Sequence, residues 1–211
     1  MNIIISTENL AYGPVKISPD VSISRDKTTF LYGPSGCGKT TFARLMNATL
    51  SPDAGELYYN GVPYSDLEVL DLRKEIILVS QNVYLFDETI KDNFIKFHDY
   101  REDAPPSEAE IMEYLELCCA EFPLDSPCQI LSGGERHRIY IAICLSFMPK
   151  VLILDEPTSA LDSKTAKKLL TNLKTFTKHN GITQIIISHD ISLVKEFGEE
   201  VVSCFQEVPC E

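Results

Sequence analysis

The sequence lacks the features that mark several classes of protein. No apolar run reaches the roughly 20 residues that a helix needs to cross a bilayer, so we expect no membrane-spanning helix. The first residues carry neither a basic region nor a cleavage site, so we expect no secretion signal. Basic side chains are scarce, with 19 Lys and Arg against 31 Asp and Glu, and the net charge of −12 would repel a phosphate backbone. We therefore expect no nucleic-acid partner.

The cysteines also lack the patterns of metal sites and disulfide frameworks. There are seven, and no pair of them has the spacing of zinc ligands. An odd number without a secretion signal is typical of free thiols in a reducing cytosol, so we expect neither zinc nor disulfides. The cysteines are at positions 37, 118, 119, 128, 144, 204 and 210.

What the sequence contains is an alternation of apolar runs and helical patterns, which predicts an α/β fold. Residues 3–32 alternate apolar and polar groups and indicate short strands, and Asn60-Gly61 marks a tight turn after a strand at 56–59. Over residues 82–130 helical patterns dominate, which indicates an inserted helical subdomain. Further strands are predicted at 28–32, 76–79, 151–154, 183–187 and 200–205, and helices at 39–50, 134–148, 163–178 and 191–197.

The segment GPSGCGKT matches the pattern of a P-loop, a glycine-rich loop that follows a buried strand and opens a helix. Its glycines allow backbone N–H groups and the helix N-terminus to face the phosphates of a nucleotide. We expect the Lys39 ammonium to contact the β- and γ-phosphates and the Thr40 hydroxyl to ligate Mg²⁺. An ordinary turn is the alternative, but a chance match in this context is rare. The predicted nucleotide-binding residues here are Gly33, Pro34, Ser35, Gly36, Cys37, Gly38, Lys39, Thr40 and Thr41.

Two carboxylates follow the apolar run at 151–154. Asp155 would emerge at the carboxyl end of a central strand, where α/β sheets bind ligands, and hold Mg²⁺ directly or through water. Glu156 points elsewhere and would act as general base on a water in line with the γ-phosphate. A solvated acidic turn is the alternative, and the P-loop upstream favours the functional interpretation.

Gln81 and His189 each stand just past an apolar run. Strands that end at one edge of a parallel sheet would bring both side chains near the γ-phosphate. Gln81 would then ligate Mg²⁺ or the attacking water, and His189 would donate a hydrogen bond to the γ-phosphate. A lone Gln or His at such a position is otherwise an ordinary cap.

A second glycine-rich segment, Ser132-Gly133-Gly134, opens a predicted helix. Its serine and backbone N–H groups would form a second anion-binding cradle. One nucleotide needs a single phosphate cradle of this type from its own subunit. The economical interpretation is that this second cradle serves the ATP of another subunit.

The sequence resembles the nucleotide-binding subunits of ATP-binding cassette (ABC) transporters over essentially its whole length. Six motifs occur in the family's order: the Walker A loop at 33–40, Gln81, the signature LSGGE at 131–135, Walker B VLILDE at 151–156, the D-loop SALD at 159–162, and the switch residue His189. The last residue of the signature is Glu135, whereas many members of the family have glutamine there; this departure is common.

The resemblance implies a P-loop NTPase (RecA-like) α/β core with an N-terminal antiparallel β subdomain and an inserted α-helical subdomain. Residues 1–81 and 136–211 would form the core with the β subdomain, and 82–135 the helical signature subdomain, within one ABC ATP-binding domain. It also implies an ATPase that uses ATP and Mg²⁺ and forms a head-to-tail dimer around two ATPs, with Asp162 as a further site residue. Tyr12 is similar in position to the family's adenine-stacking aromatic; packing at a β-edge is its alternative role.

The resemblance further implies transmembrane permease subunits as partners and a place on the cytoplasmic face of a membrane. The aromatic and apolar run 82–90 would border the groove that receives the permease, or would only anchor the helical subdomain. The alternatives are a non-transport ABC ATPase of iron–sulfur assembly or DNA repair, and a small-molecule kinase, which would not explain Ser132 or His189. Among transporters, small bacterial cassettes linked to putative metal or iron export are similar in their compact length.

Overall fold

A parallel β-sheet forms the centre of the protein in the computed structural model, which describes residues 2–203. Its strand order is β10-β4-β9-β8-β7, and every neighbouring pair is parallel. The three innermost strands are buried because helices cover both faces of the sheet. The strands are β4 (Thr28–Leu31), β7 (Ile76–Val79), β8 (Val151–Asp155), β9 (Thr183–Ile187) and β10 (Glu200–Val202).

A second, antiparallel sheet is built from the N-terminal part of the chain. Its order is β2-β1-β5-β6, and β3 pairs with the other end of β1. Asn60 and Gly61 both have positive φ between β5 and β6, as a tight hairpin turn of this kind requires. The strands are β1 (Ile3–Tyr12), β2 (Val15–Lys16), β3 (Ser22–Ser24), β5 (Ala54–Tyr59) and β6 (Val62–Pro63).

Seven α-helices complete the described part of the chain. Two of them lie in the segment after β7 and pack with α5 around Phe94, Ile111 and Leu115, in a hydrophobic core that continues onto the parallel sheet. Among residues 2–203 no helix is both long and apolar enough to cross a membrane. The helices are α1 (Lys39–Met46), α2 (Val69–Glu75), α3 (Ile90–Arg101), α4 (Glu108–Leu117), α5 (Gly133–Ser146), α6 (Ser163–His179) and α7 (Ile191–Phe197).

The predicted fold class is therefore confirmed, and the differences concern element boundaries. Helix α1 ends at Met46, not at residue 50, because Ala48 turns into the left-handed region at φ 55° and Thr49 and Leu50 fold back onto the Arg44 carbonyl. Helix α2 was missed because seven residues carry too little periodicity. The last strand is described as far as Val202; Phe205, Cys204 and Cys210 lie outside the described residues. The other five cysteines are free thiols.

Gly55 allows the backbones of β1 and β5, the two longest antiparallel strands, to approach closely at a bulge. Its φ is +78°, and a Cβ on it would lie 2.4 Å from the carbonyl oxygens of Glu8 and Asn9, where the register of β1 against β5 shifts. Gly61 has nearly the same φ, +79°, but a Cβ there would meet nothing within 4 Å. A side chain at either position would therefore suffer the same backbone strain, and only at Gly55 would it also clash with neighbouring atoms.

We predict that Gly61→Ala costs about 1 kcal/mol of unfolding free energy, from left-handed strain alone. Gly55→Ala should cost about 3 kcal/mol, because the backbone clash adds to the same strain. Urea unfolding followed by circular dichroism measures both values. Equal losses in the two variants would contradict the close approach at Gly55.

Candidate functional site

The carboxyl ends of the central strands lie level with one another. Leu31 of β4 and Asp155 of β8 both pair with Ile187 of β9, and Val79 of β7 pairs with Leu154. The residues that follow each strand therefore emerge at one edge of the sheet. This edge carries the P-loop after β4, Gln81 after β7, Glu156 after β8 and His189 after β9.

The P-loop has the backbone conformation that its glycines permit. Gly36 and Gly38 have φ of +82° and +102°, which side-chain-bearing residues rarely adopt. A Cβ on Gly38 would also lie 2.5 Å from the Val15 side chain, so only glycine fits beneath the β1–β2 hairpin. The Lys39 ammonium lies inside the loop and donates to the carbonyls of Gly33 at 2.8 Å and Pro34 at 2.6 Å.

Asp155 and Thr40 join the P-loop helix to strand β8. The Thr40 hydroxyl donates to Asp155 Oδ2 at 2.8 Å, and only 4% of Asp155 is exposed. Burial raises the pKa of the Asp155 carboxyl above its ordinary value, against the lowering effect of the Thr40 hydrogen bond. A buried carboxylate beside a hydroxyl is the oxygen set that Mg²⁺ prefers, and a bound cation would offset the cost of that buried charge. The residues present therefore fit a magnesium ion.

Glu156 and His189 contact each other at the same edge. His189 Nδ1 lies 3.0 Å from Glu156 Oε1. The Glu156 backbone has φ of +54°, and its N–H donates to the Ile187 carbonyl at 3.1 Å. This kink turns the Glu156 side chain away from Asp155 although the two residues are adjacent, so one carboxylate is buried and the other is partly exposed.

One cavity brings together most of the predicted nucleotide site. Gln81, Asp155 and Glu156 line it on one side and the P-loop lines it on the other. His189 lines a neighbouring cavity, which shares Glu156 with the first. The P-loop residues that border the cavity are Ser35, Gly36, Gly38, Lys39, Thr40 and Thr41.

Ser132, Gly133 and Gly134 do not line this cavity. Ser132 caps helix α5 in a capping box with Glu135: the Ser132 N–H and hydroxyl both donate to Glu135 Oε2 at 2.7 Å, which lowers the pKa of the Glu135 carboxyl. Gly133 and Gly134 border a separate cavity together with Gln81. A Cβ on Gly134 would make an ordinary contact with Ala160 at 3.4 Å, and a Cβ on Gly133 would meet nothing within 4 Å, so nothing in the described chain requires glycine at either position.

Two other predicted residues have structural roles of their own. Tyr12 ends β1 and pairs with Val15, the residue that covers Gly38, so the hairpin brings Tyr12 beside the P-loop. Asp162 is the N-cap of α6, and its carboxylate accepts hydrogen bonds from Lys164 N and from the N–H and hydroxyl of Thr165. These bonds hold the pKa of the Asp162 carboxyl below its usual range. A contact of either residue with nucleotide remains a prediction.

Sequence reasoning missed three residues that shape the site. Val15 lines the main cavity, but its contact with Gly38 joins distant segments that no local pattern reveals. His137 of α5 is buried and bonds the Ser80 carbonyl at 3.2 Å, next to Gln81. Arg136 donates to the carbonyls of Cys128 and Leu85 at 3.0 and 3.3 Å, so it joins the start of α5 to two loops. The Arg-His-Arg run after the signature was the available signal for the last two.

The family model for ABC transporters matches residues 18–159, which is more than half of the chain. The chain belongs to the ABC transporter family. It is an ATP-binding domain of that family, and such domains are ATPases. The identification agrees with the geometry, because the matched segment contains the P-loop, the signature and both Walker B carboxylates.

Curated relatives resemble the chain over most of its length. It is 37% identical over 175 residues to a spermidine/putrescine import ATP-binding protein of Spiroplasma citri, covering 81% of this chain and 49% of that protein. It is 33% identical over 188 residues to an energy-coupling factor transporter ATP-binding protein of Methanothermobacter thermautotrophicus, covering 86% and 60%. The chain therefore spans about half to three fifths of the length of these relatives.

Solved structures share the fold. A cbiO1 protein of Clostridium perfringens, part of the ABC transporter complex cbiONQ, superposes with a TM-score of 0.82 at 30% identity, covering 96% of this chain and 85% of that one. A dimeric ATP-binding cassette in a post-hydrolysis state, bound to ADP and Pi, superposes with a TM-score of 0.81 at 27% identity, covering 96% and 94%.

We predict opposite effects from neutralising Asp155 and Asp162 without nucleotide. Because the folded protein raises the pKa of Asp155, ionising this carboxyl destabilises the fold, increasingly as pH rises through that pKa. At pH 7.5 the variant Asp155→Asn should therefore melt at the same temperature as the parent or at a higher one. The lowered pKa of Asp162 means that its ionised form stabilises the fold above its unfolded-state pKa and loses that effect as pH falls. Asp162→Asn should therefore melt lower. Differential scanning fluorimetry gives both values.

The same variants separate stability from binding. Mg-ATP should raise the melting temperature of the parent and of Asp162→Asn. It should have little effect on Asp155→Asn, which would lack the carboxylate that we expect to hold Mg²⁺. A marked drop in melting temperature of nucleotide-free Asp155→Asn would contradict the unfavourable burial of its charge.

Proposed function

We propose that the chain is the ATP-hydrolysing subunit of a membrane transporter and that ATP drives two copies of it to close on each other. One observation carries this proposal: the P-loop and the glycine pair Gly133-Gly134, both suited to binding phosphate, border different cavities of one chain. A nucleotide bound to the P-loop would not occupy the cavity at Gly133 and Gly134 of the same chain. In this proposal the nucleotide bound to a facing copy occupies it.

The P-loop residues hold the phosphates in this proposal. Backbone N–H groups from Ser35 to Thr40 face the phosphate oxygens, and Lys39, already held inside the loop, places its ammonium beside the β- and γ-phosphates. Thr40, Asp155 and Gln81 would hold Mg²⁺, which when bound neutralises negative charge on these phosphates. Tyr12 stacks on the adenine from the β1–β2 hairpin.

Hydrolysis needs a base for the attacking water, and Glu156 meets that need. The water oxygen attacks the γ-phosphorus, the bond to the β–γ bridging oxygen breaks, and ADP leaves with that oxygen. The Glu156 carboxylate accepts the proton of the water. His189, which bonds Glu156 Oε1 at 3.0 Å, orients this carboxylate and reaches the γ-phosphate.

Closure follows from a contact that only ATP provides. The γ-phosphate on one copy meets Ser132, Gly133 and Gly134 of the other, so the closed dimer binds ATP better than the open monomers do. After hydrolysis and phosphate release this contact is lost and the dimer opens. The dimeric cassette bound to ADP and Pi that resembles this chain supports the pairing.

An aromatic patch next to Gln81 offers a surface for a membrane partner. Phe86 contacts the rings of Tyr84, Phe97 and Tyr100 at centroid distances of 5.2 to 5.9 Å, and these four residues form the patch. Tyr84 and Tyr100 are 64% and 75% exposed. In this proposal transmembrane permease subunits dock there and hold the chain at the cytoplasmic face of a membrane.

Arg136 connects this patch to the second cradle. The loop after Phe86 is hydrogen-bonded to the segment before the signature, with Cys128 N donating to the Glu88 carbonyl at 2.8 Å. Arg136 binds carbonyls of both segments, at Leu85 and Cys128, one turn from Ser132. A movement of the docked partner is thereby linked to the residues that meet the facing ATP.

The test is light scattering of Glu156→Gln with and without Mg-ATP. This variant should bind ATP without hydrolysing it, and its mass should about double with Mg-ATP as a dimer forms. Adding Ser132→Arg should abolish the dimer, because the arginine fills the cradle.

Ser107→Arg is the matched control, because Ser107 caps α4 in a capping box with Glu110 of nearly the same hydrogen-bond lengths. It removes the same helix cap outside the proposed interface, so dimerisation should persist. A monomeric Glu156→Gln protein in Mg-ATP, or equal loss of the dimer in both arginine variants, would count against the shared site.

A further inference from the structure

We propose, on the basis of the permease-coupled function above, that the aromatic patch receives a basic cytoplasmic segment of the membrane partner, with an apolar side chain anchored against Tyr84 and Tyr100. The partner's positive charge is the new element of this proposal. It rests on how charge is distributed along the chain and on which charges are already paired.

The negative charge of the protein is concentrated in one segment. Residues 82–135 contain 13 acidic and three basic side chains, so this quarter of the chain carries −10 of the net −12. The remainder of the chain is close to neutral. The segment that carries the aromatic patch is therefore strongly anionic.

The few bases of this segment are already paired with its own acids. Lys91 pairs with Glu108, Lys96 with Glu88, and Arg101 with Asp103. Lys96 also lies over the Phe86 ring, 5.0 Å from its centroid, so the one base on the patch is held there by Glu88. The other ten acidic side chains have no basic partner within the segment. Of these ten, within the described residues, only Glu121 forms an ion pair with a base elsewhere in the chain, Lys168, at 3.8 Å.

Two of the unpaired acids border the aromatic patch. Asp87 follows Phe86 and Asp99 precedes Tyr100 in the chain, and both are exposed. Within residues 2–203 neither carboxylate forms a salt bridge or accepts a hydrogen bond, although the backbone carbonyl of Asp87 accepts one from Gln129 Nε2 at 2.9 Å. Exposed aromatic anchors with charges at their rim form a typical protein-binding surface, in which the rings contribute affinity and the rim contributes electrostatic steering.

The charge discriminates between occupants of the patch. A second copy of this chain presents the same anionic segment and is repelled, and so is the anionic surface of a cytoplasmic leaflet. Cytoplasmic loops of membrane proteins carry an excess of Lys and Arg. A basic loop or short helix of a permease is the occupant that matches both the charge and the proposed function.

The test uses two synthetic helical peptides that share a Leu-Phe face and differ only in flanking charge, Lys and Arg in one and Glu in the other. Isothermal titration calorimetry at low salt should show binding of the basic peptide and none of the acidic one. Binding should weaken at least about tenfold in the variant Tyr84→Ala with Tyr100→Ala. It should also weaken steeply with salt, because exposed charges are screened over about 8 Å at physiological ionic strength.

Charge-reversed variants locate the effect. Asp87→Lys with Asp99→Lys should weaken the basic peptide about tenfold and create affinity for the acidic one. Glu113→Lys with Glu116→Lys makes the same change in net charge on α4, whose exposed face borders α6, and should have a much smaller effect. Equal effects of the two double variants would overturn the proposal, since they would indicate attraction to net charge alone.

Other outcomes are equally decisive. Binding of the acidic peptide, binding to phosphatidylglycerol vesicles through Tyr84 and Tyr100, or self-association through these tyrosines without ATP would each overturn the basic-partner assignment. ATP-driven dimerisation of Glu156→Gln is measured without peptide. A chain that dimerises and ignores the basic peptide therefore refutes the partner's chemistry alone, whereas a chain that fails to dimerise refutes the proposed function.

Discussion

The level ends of the parallel strands are the constraint on which the site depends. Leu31, Ile187 and Asp155 lie side by side across β4, β9 and β8, so the next residue of each strand leaves the sheet at the same height. This arrangement lets the Thr40 hydroxyl reach Asp155, 115 residues further along the chain. It also sets His189 against Glu156. A shift of one residue in any of these strands would move its side chains to the opposite face of the sheet and dismantle the site.

The same edge is where the chain accepts unfavourable local structure. Gly36, Gly38 and Glu156 have left-handed backbones, and Asp155 is a buried carboxylate with a raised pKa. Such features persist only when the surroundings hold them, and they cluster where ligands bind. Here the surroundings are the hairpin residue Val15 above Gly38 and the Ile187 carbonyl that receives the Glu156 N–H. An ATP-binding function accounts for the cost, because phosphates and a cation would use these groups.

Much of the fold and most of the cavity could be predicted from sequence because the signals are local. Strands β7 and β9 and helix α7 have the predicted bounds, since short apolar runs between polar residues leave little ambiguity. Contacts between distant segments could not be predicted. Nothing near Val15 indicates that it covers Gly38, and nothing near Arg136 indicates that it binds the Leu85 carbonyl. The early end of α1 shows the same limit: the chain turns into the left-handed region at Ala48, before the predicted end at residue 50, and alanine gives no warning of such a turn.

The two capping boxes separate the residues of the signature that start a helix from those that the proposed phosphate contact would use. Ser107 with Glu110 and Ser132 with Glu135 have nearly the same hydrogen bonds, and both lower the pKa of the glutamate carboxyl. Capping geometry alone is therefore a device for starting a helix and is no sign of a ligand. The difference lies in the two residues that follow each serine: Glu108 and Ala109 begin α4, whereas Gly133 and Gly134 begin α5. Glycine is a poorer helix former than alanine, and no neighbour in the described chain requires it here: a Cβ on Gly134 would make only an ordinary contact with Ala160 at 3.4 Å, and a Cβ on Gly133 would meet nothing within 4 Å. Gly133 is exposed, and the lack of a side chain at both glycines would let a phosphate approach the start of α5 closely, as the proposed contact with a facing copy requires.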